Sequence, residues 1–225
     1  MRSRLFFLNR GLPTSMPLLE PDRSYTFSEI GKLKAPTDDL LAEYGYSLER
    51  TLLDLPQYQG ELDRLQERRS RIEEVLPYLD LTNEQARREM LIAPLMADLI
   101  HYTRAQLRIE YALKVSPHLQ GALDYLLRTK RKLLVIEAKQ EDLTNGFTQM
   151  AVELIALDQW EKSTSLAEQP QLWGAVSTGT IWQFGVLHRQ EKLVTQELTL
   201  YRVPNDLEAV TRIGVAALVP ETAGD

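Results

Sequence analysis

The hydrophobic pattern of this chain changes period partway along its length, and that change demands a layered fold of helices and strands. After His101 the spacing of apolar residues drops from 3.6 to two. Leu107-Arg-Ile-Glu-Tyr-Ala-Leu-Lys-Val115 alternates, Pro117-His118 turns, and Gly121-Ala-Leu-Asp-Tyr-Leu-Leu-Arg128 returns as a second strand. A basic turn, Thr129-Lys-Arg-Lys132, then leads into Leu133-Leu-Val-Ile136. Four apolar residues in a row cannot have a solvated face, so this strand must be covered on both sides.

Amphipathic segments on either side of the hairpin supply the cover. Thr37 to Tyr44 and Gly60 to Leu76 read as helices, the second with Leu62, Leu65, Ile72, Val75 and Leu76 on one stripe. Thr82-Asn-Glu-Gln85 is a capping-box pattern opening a third helix, with Ile92, Leu95, Met96 and Leu99 buried and Pro94 kinking it. Asn145-Gly146 breaks the chain before a fourth helix over 147–160, and strands follow at 172–177, 181–187 and 193–202. The fold class is therefore α+β (α/β): a mixed central sheet flanked by helices, with an N-terminal helical extension. Residues 1–36, with Pro13, Pro17, Pro21 and Pro36, read as a partly disordered tail and loop. The extension covers 37–80, the core 81–203, and 204–225 reads as a C-terminal tail. The basic start ahead of Met16 allows three readings: a disordered tail, an over-extended gene start, or a targeting segment, against which its four-residue apolar core is short.

With no cysteine in 225 residues, disulfides, zinc ribbons, thiol nucleophiles and iron–sulfur clusters are excluded. A net charge of −6 argues against a protein that coats nucleic acid with a basic surface. The segment 101–140 is different, with eight basic side chains against three acids, +5 locally against −11 elsewhere. That imbalance predicts a local basic cleft, with Lys130, Arg131 and Lys132 as phosphate contacts. No apolar run reaches membrane-spanning length, and a cytoplasmic location is expected. Gly174 to Thr180 has phosphate-loop glycine spacing but Thr180 where a lysine is needed, and His101, His118 and His188 are isolated.

A carboxylate at the end of a wholly apolar strand needs a reason. Glu137 and Lys139 follow Ile136 as Glu-Ala-Lys and point to one side of the sheet, while Asp124 on the preceding strand can reach the same edge. Two carboxylates and an ammonium converging there suit a hard divalent cation with a lysine beside its water.

Asp124, a gap of twelve residues and Glu137-Ala-Lys139 on an apolar strand resemble the PD-(D/E)XK nuclease superfamily. The similarity covers roughly residues 82–188. Within it, Arg88-Glu-Met-Leu-Ile-Ala-Pro-Leu95 ahead of the hairpin resembles the nuclease domain at the front of type I restriction motor subunits. The resemblance implies a restriction-endonuclease-like core and a Mg²⁺-dependent phosphodiester hydrolase, with Mn²⁺ as a substitute cation. Asp124 and Glu137 would hold the metal, with the Ala138 carbonyl as a further ligand, and Lys139 would assist the attacking water. Glu89 would be the helix acid on the inward stripe, with Glu84 the second choice. Gln149 matches the glutamine of the family's nucleic-acid-binding helix, although Glu153 stands where that family has a tyrosine. The implied partner is nucleic acid, DNA before RNA, with a homodimer and a separate motor or specificity subunit left open. The alternative is a non-catalytic interaction module in which the charged helices between Thr37 and Ile100 are the working surface.

Overall fold

The computed structural model describes residues 17–130, 132–139 and 141–219; the expectations for the segment ahead of Met16, for Arg131 and for residues 220–225 lie outside them. Among the described residues, eight strands form one mixed, open sheet: β1 (Ser47–Thr51), β2 (Gln106–Ser116), β3 (Leu119–Arg128), β4 (Leu133–Ala138), β5 (Gln171–Ser177), β6 (Ile181–His188), β7 (Leu193–Glu197) and β8 (Tyr201–Arg202). The order is β1-β7-β6-β5-β4-β3-β2, with β8 paired to β6. β2, β3 and β4 run antiparallel in sequence, whereas β4 pairs with β5 in parallel. The run from Leu133 to Ala138 is buried throughout, as a strand apolar on both faces requires.

Among the described residues, seven α-helices cover the sheet: α1 (Phe27–Gly31), α2 (Thr37–Glu43), α3 (Leu65–Val75), α4 (Glu84–Arg87), α5 (Ala93–Thr103), α6 (Leu143–Gln159) and α7 (Leu207–Leu218). One face carries α6 with α1 and α2 beside it, and Leu126, Val135 and Leu172 pack there against Phe147, Met150 and Leu154. The other carries α5 and α7, where Leu134, Ile136 and Phe184 meet Leu99, Val210 and Ile213. Each fully buried Leu, Ile or Phe contributes about 2 kcal/mol, so both layers are integral to one core. No helix among the described residues is long and apolar enough to cross a membrane.

The structure departs from the sequence expectations at informative places. Residues 17–36 hold α1, closed by a capping box between Thr26 and Glu29, and not only loop. Residues 207–218 are a buried helix instead of a tail. The 37–80 segment is not a separate extension: α2 packs on α6 and α3 on α7. The cap of the third helix is Asn83, whose side chain accepts from the Gln85 amide, while Thr82 turns back to Asp80. The 193–202 strand is divided into β7 and β8. Asn145-Gly146 does not break the chain but lies inside α6, capped by Asp142. Gly146 is tolerated there because a Cβ would stand 2.6 Å from Val176 Cγ2 and 2.7 Å from Lys139 Cγ.

Pro94 does not kink a continuous helix; it sits in the first turn of α5, behind a π-helical turn over Arg88–Ile92 in which the Ala93 amide reaches the Arg88 carbonyl. Widening the turn before a proline accommodates its ring and its missing N–H without breaking the helix.

Candidate active site

β3 and β4 pair Tyr125 with Ile136, so the next residues along, Asp124 and Glu137, lie opposite each other on the α6 face of the sheet. They open into a cleft of about 620 Å³ together with Lys139 and Gln149. Asp124, Glu137, Lys139 and Gln149, expected from the sequence to act together, are thus brought together by three different elements. Part of the remaining wall comes from Thr26, Ser28, Gly31 and Lys32 around α1, the segment expected to be loop.

The Asp124 carboxylate accepts from the Ala138 amide at 2.8 Å and from Arg88 Nη1 at 3.1 Å. Ala138 thus contributes its N–H to the site. Glu137 is 1% exposed, and its Oε1 lies 2.5 Å from Lys139 Nζ. Lys139 Nζ also donates to Gln149 Oε1 at 2.9 Å, and Gln149 Nε2 donates to Glu153 Oε1 at 3.0 Å. Glu153 is fully buried. The Oε2 atoms of Glu137 and Glu153 have no hydrogen-bond partner.

Burial, reinforced by the Asp124 charge, raises the Glu137 carboxyl above its ordinary range, and burial with the Glu137 charge does the same to Glu153. Burial also pushes Asp124 up, against the opposing pull of the Ala138 amide and Arg88. For Lys139 burial works against the charged form, but Glu137, Asp124 and Glu153 outweigh it and raise the ammonium. Lys139 is therefore a fixed cation, able to orient a water or a phosphate oxygen but not to take a proton at neutral pH.

Two expectations about the site are corrected. Glu89 is exposed, bonded to Gln85 Nε2 at 2.8 Å, and absent from the cleft lining, whereas Glu84 lines it. Counting back from Ile92 and Met96 at 3.6 residues per turn fails because the π-turn shifts the phase. The basic turn is also misplaced. Lys130 and Lys132 lie at the start of β4 and Glu137 near its end, a separation of about 16 Å for Lys132 at ~3.3 Å per residue. Lys132 lines a different groove, between the 53–60 segment and the strand ends where β5 begins and β6 finishes. The cleft's own basic residues are Lys32, Arg88 and Lys139, against Glu84, Glu110, Asp124, Glu137 and Asp142. It is an acidic cleft, not a basic one.

Arg88 and Glu110 went unrecognised as cleft residues. Helical counting back from Ile92 gave no dependable signal for Arg88, because the π-turn over 88–92 lies between them. Glu110 had none, because its placement depends on a left-handed backbone (φ 51°) in the middle of β2.

Among the described residues, no three His, Cys, Asp or Glu side chains are arranged to hold one ion. Two carboxylates do fit a magnesium ion, which commonly takes one or two protein carboxylates and fills its octahedron with water and substrate phosphate. Glu137 has a buried oxygen that accepts no hydrogen bond, and it stands with Asp124 in a cleft whose lining holds more acids than bases.

Comparisons of the chain with known protein families, with characterised proteins and with solved structures find no match.

Proposed function

We propose that the protein is a divalent-cation-dependent nuclease of the PD-(D/E)XK kind, acting on nucleic acid with DNA as the first substrate to test. The observation that carries this reading is the Glu137 carboxylate: almost wholly buried, one oxygen unpartnered, and directly opposite Asp124 with Lys139 beside it. A buried acid so arranged is costly as an anion, and either a proton or a bound cation relieves that cost; the cation is preferred, because Asp124 and the cleft stand beside it. The element order α5, β2, β3, β4, α6, β5, with β4 and β5 parallel, supports the same reading, since it is the helix–hairpin–strand–helix–strand order expected from the sequence around the motif.

Asp124 and Glu137 would hold Mg²⁺ or Mn²⁺, which when bound supplies Lewis-acid polarisation of the phosphate and a more acidic water. Lys139, fixed by Glu137 and Gln149, holds the attacking water or a non-bridging phosphate oxygen in line. The water oxygen bonds to phosphorus, the P–O3′ bond breaks, and its electron pair leaves on O3′. O3′ takes a proton from solvent and the nucleophile's proton is lost to solvent, giving a 5′-phosphate and a 3′-hydroxyl. Gln149 bridges Lys139 and Glu153 at the wall of the cleft, beside which a nucleic-acid contact would be made.

A second reading, a non-catalytic interaction module, rests on one observation: Arg88 and Lys139 already pair with Asp124 and Glu137. One assay separates the two. Single-stranded DNA, duplex DNA and RNA are incubated with the protein in Mg²⁺ or Mn²⁺, beside Asp124→Asn and Lys139→Ala. Cation-dependent cutting that both substitutions reduce at least ~100-fold supports the enzyme. No cutting by the wild type, or equal cutting by the variants, leaves the module.

A further inference from the structure

Two irregular pieces of backbone converge on the guanidinium of Arg88. The π-turn of residues 88–92 places Arg88 at the cleft. In β2, Glu110 has a left-handed φ of 51°, and the regular pairing of Ile109 with Tyr125 and of Tyr111 with Leu123 skips the position opposite Asp124. π-turns and left-handed non-glycine residues both carry a conformational cost and concentrate where function needs them. Here they give one fork two acceptors: Nη1 lies 3.1 Å from Asp124 Oδ1 and Nη2 lies 2.5 Å from Glu110 Oε1. The Arg88 side chain is 19% exposed, and its guanidinium carbon lies 5.3 Å from the centre of the Tyr125 ring.

We propose that Arg88 is a built-in competitor for the cation, clasping Asp124 when the site is free of metal and turning its released Nη1 to a substrate phosphate when a cation is seated. This rests on the nuclease reading. A divalent cation on Asp124 would stand beside the guanidinium, and like charges at that separation repel strongly in a part-buried site. Arg88 must therefore yield. Yielding is inexpensive because Glu110, more than half exposed at the rim, keeps hold of Nη2, so the guanidinium is never left without an anion. The freed edge of a planar fork is a geometry suited to a phosphate oxygen. Glu110 thus serves as a pivot, which accounts for a left-handed residue in the middle of a strand.

The test uses the full chain and two readouts that need no turnover. Mn²⁺ binding is followed by electron paramagnetic resonance, and binding of a labelled DNA duplex is measured in Ca²⁺ at saturating cation. Arg88→Met should bind Mn²⁺ about five- to tenfold more tightly, because the competing charge is gone, and should bind DNA about five- to tenfold more weakly. Arg88→Lys, which keeps the charge without the fork, should hold Mn²⁺ within about twofold of wild type and weaken DNA binding, separating competition from misfolding. A residue that merely braced Asp124 would lower both affinities when removed. Mn²⁺ affinity that is unchanged or reduced in Arg88→Met, or DNA affinity that is unchanged, overturns the proposal while leaving the nuclease reading intact. Absence of Mn²⁺ binding in wild type and variant alike overturns both.

Discussion

Glu153 offers a direct measure of what the buried acids cost the fold. Its carboxyl is fully buried, takes one hydrogen bond from Gln149, leaves Oε2 unpartnered and faces the charge of Glu137. Burial raises its proton affinity well above the unfolded value near 4.5, so between those two values the folded chain binds more protons than the unfolded one. The contribution of Glu153 to stability is then fully present below about pH 4.5 and is lost as the pH rises towards the folded-state value, by up to about 1.4 kcal/mol per pH unit for each such group. Glu137 and Asp124 shift in the same direction. Glu153→Gln removes one titrating group, preserves the volume and the acceptor for Gln149, and relieves Glu137 of a neighbouring negative charge. From about pH 5 upward the variant should lose less stability than the wild type, the difference growing with pH by at most about 1.4 kcal/mol per unit. Urea denaturation in EDTA at several pH values gives both slopes. Parallel slopes, or a wild-type slope less negative than that of the variant, would refute the reasoning.

Other positions make sharper structural demands. Asp98, 3% exposed, is held by Arg68 Nε at 2.6 Å and Nη2 at 3.1 Å; Arg68→Met strands a buried anion and should cost about 3 kcal/mol in chemical denaturation, with a loss below ~1 kcal/mol contradicting the pair's importance. Gly146→Ala places a methyl against Val176 and the Lys139 stem, so it should cost about 1–3 kcal/mol and reduce cleavage together, and an active, fully stable variant would show the contact to be slack. Arg104 caps α5 with φ 57°, and Arg104→Gly should raise the melting temperature, worth about 0.5–1 kcal/mol.

The hairpin, β4 and the Glu137-Ala-Lys139 triplet were legible because period-two alternation and an unbroken apolar run are local signals. So was the meeting of Asp124 with Glu137, since a hairpin followed by an antiparallel strand fixes which residues stand opposite. β1 was not. Ser-Leu-Glu-Arg-Thr is an edge strand with no apolar face, and its partner β7 lies about 150 residues on. α7 was obscured by Gly214 at its centre, which reads as a break but provides room for Leu99, 3.0 Å from where a Cβ would stand. The charge count along 101–140 was correct as arithmetic and misleading as geometry, because a linear sum ignores which end of a strand a residue occupies. The inward acid failed for a related reason: one π-turn makes helical phase non-transferable across it, exposing Glu89 and turning Arg88 to the cleft.

The sheet is open, and one of its free edges is β2, eleven residues long with Ile109 more than half exposed. An unbroken edge of that length is a template on which another chain can add a strand. The left-handed residue at 110 interrupts it midway, so that neither uninterrupted stretch exceeds about six residues. The flanking Arg108 and Lys114 add charge to the same border. The backbone irregularity that brings a carboxylate to Arg88 thus also guards against aggregation, and relieving it with a regular strand residue would trade solubility as well as the pivot.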